Sequence, residues 1–229
     1  MPNKKESFFA DFLKGLEKDK IDSGKSVETI EQRRYFLIVT EGKNTEPLYF
    51  EHFRQLLPRH MMETIVITGQ GRNTIEIVET AIAKRDERSR SASKPAFDEV
   101  WAVFDKDDFT DKDFDTAVSM AQNANIEPGY SNECFEFWYV LHFQYQNNAL
   151  HRNQYTDILS DQLGRKYGKG KADAIAMIKL ISEKGNVAQA IKYGYMLERE
   201  HTGKNPAKKN PYTRIYLLVE KLLAYVEQH

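Results

Sequence analysis

Cysteine is nearly missing from this chain of 229 residues: the single Cys134 excludes an internal disulfide and any paired-cysteine metal knuckle, and makes a reducing cytoplasm the expected compartment. No run of about 18 apolar residues is present, so no segment reads as a membrane span, and the opening MPNKKE lacks the apolar stretch of a secretory signal. There is no GxxxxGK[ST] loop, which argues against ATP hydrolysis by this chain. Internal repeats and low-complexity tracts are lacking too, apart from a Lys/Asn/Pro-rich loop at 203–211. Net charge is almost nil at −1, but it is unevenly divided. Residues 1–150 hold 19 Lys+Arg against 26 Asp+Glu, and residues 151–229 hold 14 against 8. Such a split fits an acidic metal-binding centre beside a basic face for a polyanion, and it also fits ordinary solvated helices.

What is present is enough apolar matter for a core without staples, 41% of residues with 12% aromatic. Residues 1–33 form a charge-rich arm with Phe8, Phe9, Phe12, Leu13 and Leu16 at helical spacing. Then the pattern becomes regular. Apolar β-branched runs predict strands at 35–40, 63–68 and 98–104 with a short extended piece at 126–131, and helical spacing predicts helices at 46–57, 73–90, 112–124 and 133–144. Strands that are apolar throughout, alternating with helices, predict an α/β fold whose parallel sheet is covered on both faces. After 150 only helical patterns follow, at 153–163, 171–182, 186–200 and 211–227. The chain therefore divides into an arm (1–33), an α/β core (34–150) and a helical C-terminal subdomain (151–229).

Two acidic turns stand where apolar strands stop. YFLIVT (35–40) runs into Glu41 and Gly42, and VWAVF (100–104) runs into Asp105, Lys106, Asp107 and Asp108. Carboxyl ends of parallel strands gather at one rim, where open α/β sheets bind ligands. Asp105 and Asp107, two apart in a chain leaving a strand, point the same way at roughly 6–7 Å spacing. Together they can grip one hard cation such as Mg2+, or they can be part of an Asp-rich turn before a helix whose first turn suits Asp111 and Asp113. Asp108 faces away unless the chain turns. Glu41 comes against the aspartates if the loops after strands 35–40 and 98–104 are neighbours, and a carboxylate so placed can relay a proton. Otherwise it is a helix-entry acid, a role that suits Glu46 better.

Glu136, in the aromatic segment FEFW (135–138), needs either a metal or a basic partner if buried, and Glu133 can substitute for it. His142 reads as a satisfied core histidine. The loop GQGRNT (69–74) before a helix can hold a phosphate with Arg72, or be an ordinary turn. Lys43 and Lys106 flank the acids. Further basic residues cluster at Arg165, Lys166, Lys169 and Lys171, and at Lys204, Lys208, Lys209 and Arg214, with Tyr167 and Tyr212 interleaved. They can track a nucleic-acid backbone or be plain surface charge.

The blocks FLIVTEGKNTEPLYF (36–50), VFDKDDF (103–109), NECFEFW (132–138) with LHF (141–143), and NPYT (210–213) resemble the RloB family. That family is similar in turn to Toprim domains, the catalytic module of topoisomerases, primases and OLD-type nucleases. The resemblance implies a Toprim-like, open, mainly parallel four-stranded sheet flanked by helices with a helical C-terminal extension. It implies Glu41 as general acid or base and Asp105 and Asp107 as ligands of Mg2+ or Mn2+. Glu41, Asp108 and Glu136 are candidates for further metal contacts. The implied setting is restriction-modification and phage-defence loci, with an ATPase of AAA or ABC type encoded nearby. Phe109 stands where the topoisomerase pattern carries a third acid, which counts against strand passage. Three functions remain open: a nuclease acting on DNA or RNA, a non-catalytic module docking to an ATPase through the arm at 8–16 and the aromatic helix 135–143, and a primase-like polymerase. A homo-oligomer is compatible with each.

Overall fold

In a computed structural model the chain is described over residues 33–69, 73–203 and 205–228. The N-terminal arm with Phe8, Phe9, Phe12, Leu13 and Leu16, together with Arg72 and Lys204, lies outside the described residues. The apolar runs form parallel strands β1 (Phe36–Thr40), β2 (Ile65–Gly69), β3 (Glu99–Asp105) and β4 (Glu127–Asn132). Every residue of β1 is buried, as expected of a strand covered on both faces. Helix α1 (Thr45–Leu56) follows β1 and α2 (Thr74–Ser89) follows β2. Asn73 caps α2 by accepting from the Glu76 amide at 3.0 Å while its own amide group donates to the Glu76 carboxylate at 2.8 Å. Helix α3 (Asp111–Asn123) is capped by Thr110, which accepts from the Asp113 amide at 3.1 Å. Asp111 and Asp113 therefore favour the positive end of that helix and are not its cap.

The sheet has five strands in the order β2-β1-β3-β4-β5, where four were expected. The extra strand β5 (Tyr212–Thr213) pairs antiparallel with Ser131 and Asn132 at the sheet edge. Two residues are too short to show a period, and they sit against a helix, α8 (Ile215–Glu227), whose apolar spacing absorbed them in the sequence pattern. Thr213 is fixed in the sheet by a hydroxyl contact with Ser131 at 2.9 Å. The aromatic helix is also shorter than expected: α4 spans only Glu136–Leu141.

After α4 come α5 (Arg152–Leu163), α6 (Lys171–Lys184) and α7 (Val187–Glu200). Their buried residues, among them Tyr155, Leu159, Met177, Ile181 and Leu197, belong to the same apolar cluster as β1 and β3. Helix α4 is enclosed: Phe137, Trp138, Tyr139, Val140 and Leu141 are all fully buried. It is thus no contact surface for a partner. Trp138 Nε1 donates to the Tyr49 hydroxyl at 2.8 Å, and Tyr49 packs edge-on against Phe50, Phe53 and Phe135.

His142 sits at the end of α4, buried, with Nδ1 3.0 Å from the Trp138 carbonyl and Nε2 3.4 Å from the Tyr49 hydroxyl. Burial lowers its pKa from 6.5 to about 4, and the hydrogen bond to the Trp138 carbonyl only partly opposes this. The ionisable groups facing the ring, Tyr49 and Tyr139, are held neutral by burial. The neutral imidazole is therefore the folded form. Its contribution is complete above the unfolded value and is lost as pH falls from about 6.5 toward 4, by about 3 kcal/mol in total. Denaturant midpoints of the protein and of His142→Gln, measured from pH 7.5 to 4.5, are expected to converge as pH falls. Parallel curves would show that the ring does not titrate with unfolding.

Candidate functional site

The chain leaves β1 for β2 on one side and returns to β3 on the other, so the strand order reverses between β1 and β3. Ligands of open α/β sheets bind at such a reversal, beyond the carboxyl ends of the strands. Glu41 follows β1 and Asp105 ends β3, so sequence-distant acids become neighbours across one strand pair. The Glu41 amide donates to the Val103 carbonyl at 2.9 Å, and its side-chain Oε2 accepts from the Asp105 amide at 3.2 Å. Asp105 Oδ2 in turn accepts from the Phe135 amide at 3.1 Å, tying the end of β3 to the loop after β4. The Asp107 amide donates to the Glu133 carbonyl at 3.0 Å, and Asp107 adopts φ 39°, a left-handed turn that Asp tolerates.

A cleft of ≈ 250 Å³ opens here, lined by Glu41, Glu46, Asp105, Asp107, Glu136 and Lys169, with Gly42, Lys43, Asn44, Thr45 and Phe135 completing the wall. Four of the five candidate metal residues meet in it. Asp108 does not: its side chain is 84% exposed and pairs with Arg152. Glu46 joins the cleft instead, 7% exposed. Its position before Pro47 at a helix start gave no sign of this. The usable sign was Gly42, because a side chain at 42 would meet Glu46 Oε2 at 1.9 Å. Gly42→Ala is expected to push the Glu46 carboxylate aside, weakening divalent-ion binding about tenfold in calorimetry while lowering stability by only about 1 kcal/mol. Unchanged ion affinity would remove Glu46 from the site.

The electrostatics are those of crowded acids. Burial raises the Glu41 pKa to about 7; the Asp105 amide opposes this, and the charges of Asp107 and Glu46 reinforce it. Burial likewise raises Glu46 to about 7, with Glu136 adding repulsion and Lys169 relieving it. Asp105 is held well above the ordinary carboxylate range, first by burial and then by Glu46, Glu136, Asp107 and Glu41. Asp107 is raised by burial, against the opposing charges of Arg152 and Lys169. Glu136, 2% exposed, accepts from Lys169 Nζ at 2.9 Å and from the Tyr167 hydroxyl at 3.1 Å. It thus has the basic partner that burial demanded, at the rim of the same cleft.

Of the expected nucleic-acid contacts, Lys43 and Lys169 line the cleft. Lys106 lies on a neighbouring cleft of ≈ 380 Å³ and pairs with Asp111 at 3.4 Å. Arg165 pairs with Asp173 at 3.2 Å, whereas Lys166 and Lys171 are exposed. Lys208 is committed to Asp111, and Arg214 to Glu127 at 3.2 Å. Among the described residues no helix is long and apolar enough to cross a membrane.

Fold and cleft together define an α/β protein with an acidic cleft at its strand reversal. Residues 36–222 match the family of RloB-like proteins, most of the chain, and the chain belongs to that family. No curated protein and no solved structure matches it.

Proposed function

We propose that this protein is a Toprim-type nuclease, dependent on Mg2+ or Mn2+, that hydrolyses phosphodiester bonds of DNA or RNA as the cytoplasmic effector of a bacterial anti-phage system working with an ATPase. The observation that carries the reading is the convergence of Glu41, Asp105 and Asp107 on one cleft at the reversal between β1 and β3. A docking module has no physical use for buried acids that repel one another, whereas a cation-binding site does. The donor set suits a hard divalent ion: all candidate ligands are carboxylate oxygens, and their pKa values are raised by burial first and by the charges of neighbouring acids second. Among the described residues no three His, Cys, Asp or Glu side chains form a ready-made cage. A divalent ion here would therefore rest on at most two of these carboxylates, with waters and substrate oxygens completing its shell.

In this mechanism Asp105 and Asp107 would hold the ion, and Glu46 and Glu136 line the same cleft. A bound ion of this kind polarises phosphoryl oxygens and acidifies water. Glu41 moves the proton: its Oε2 is engaged by the Asp105 amide, which leaves Oε1 to take a proton from water or give one to the leaving oxygen. Lys43 and Lys169 offset phosphate charge at the mouth of the cleft.

The test incubates the full chain with plasmid DNA, single strands and tRNA, with Mg2+ or Mn2+ and then with EDTA. Cleavage of at least one substrate that EDTA abolishes is expected. No cleavage with any substrate, together with tight binding to a purified ATPase, would replace the nuclease by a docking subunit.

A further inference from the structure

Arg152, the first residue of α5, reaches across to the loop after β3. Its Nη1 lies 3.1 Å from Asp107 Oδ1, and its Nη2 contacts Asp108. The backbone of Arg152 is fixed separately from its guanidinium. Its amide donates to Glu133 Oε2 at 3.1 Å, and the preceding His151 caps α5 through Nδ1 while Gln154 returns the bond to the His151 amide at 3.0 Å. Only the side chain, 29% exposed, needs to move for its partner to change. That partner is Asp107, which also lines the acidic cleft. Arg152 is therefore the positive charge already resident on the carboxylate that a divalent ion would need.

From this geometry, and resting on the nuclease reading above, we propose that Arg152 is a hand-over residue: it occupies Asp107 until a divalent ion takes that carboxylate, and its freed guanidinium then binds a phosphate of the substrate strand. No covalent bond changes; one ion pair is exchanged for another. A guanidinium suits the second task because its planar fork of N–H donors matches two phosphate oxygens at once, which an ammonium group does not. Asp108, whose side chain is 84% exposed, is a weak competitor for the same guanidinium, because a solvent-exposed ion pair contributes little.

Hand-over makes two measurements move in opposite directions, whereas a mere staple between α5 and the β3 loop would move both downward. The experiment uses the full chain, Arg152→Ala and Arg152→Lys, with folding checked by thermal melting. Mn2+ binding is measured by calorimetry without nucleic acid, and binding of a fluorescent oligonucleotide by anisotropy in Ca2+. Arg152→Ala is expected to bind Mn2+ about fivefold tighter, through loss of a competing charge, and the oligonucleotide about tenfold more weakly. Arg152→Lys, which keeps the charge without the fork, is expected to bind Mn2+ as the parent does and the oligonucleotide several-fold more weakly. It also decides the matter if the alanine variant fails to fold. Weaker Mn2+ binding in Arg152→Ala, or oligonucleotide binding unchanged in both variants, overturns the hand-over and leaves the nuclease reading intact. A parent chain that binds no Mn2+ even with oligonucleotide present overturns both.

Discussion

Glu41→Gln and Asp105→Asn are each expected to lower metal-dependent cleavage about 10³-fold or more, and yet to melt at higher temperature than the parent in EDTA. The first effect follows from the roles proposed for the two groups. Glutamine at 41 can still accept from the Asp105 amide but cannot move a proton, and asparagine at 105 can still accept from the Phe135 amide but offers a weaker oxygen to a cation. The local frame is thus kept while the chemistry is removed. The second effect follows from the crowding of acids, since Asp105 is raised by burial and by the charges of four neighbours. Neutralising one member relieves repulsion worth about 1–2 kcal/mol, a few degrees in melting temperature for a domain of this size. Millimolar Mg2+ should reverse the order by stabilising the parent alone, because only the form that binds the ion gains from it. Thermal melting of parent and variants with EDTA and with Mg2+ measures this directly. Variants that melt below the parent in EDTA would show that Asp105 and Glu41 serve the fold more than a site.

Trp138→Ala is expected to carry the largest stability cost, about 3–5 kcal/mol, read as a shift of the urea midpoint. Trp138 is fully buried, its indole lies edge-on to His142 at 4.8 Å between centroids, and its Nε1 donates to Tyr49. Deleting the ring opens a cavity behind the helix that carries Glu136. Trp138→Phe should cost only about 1–2 kcal/mol, because it keeps most of the volume and leaves the Tyr49 hydroxyl within reach of His142. The two variants therefore separate packing from hydrogen bonding. Equal costs would mean that the indole N–H, and not the ring volume, holds α4 in place.

Much of the architecture was legible in the residues. Uniformly apolar strands such as FLIVT announced a covered parallel sheet, and strong periods placed most helices to within a few residues. The acids at strand ends were legible for the same reason, since a carboxylate directly after a buried strand has to emerge at a rim. Glu46 was not legible: its burial depends on Gly42 leaving room for it, a contact across the turn with no period of its own. Arg152 was missed because its partners Asp107 and Asp108 lie more than 40 residues away along the chain.

By itself the sequence determined the alternation of strands and helices and the supply of carboxylates at strand ends, because both follow from local spacing and polarity. Only the tertiary structure decided that β1 lies between β2 and β3, that Tyr212–Thr213 returns to the sheet edge, and that Glu46 and Arg152 meet the acids of Glu41 and Asp107. Lateral strand order and ion pairing across distant loops are set by which faces bury one another, and that is a property of the folded whole.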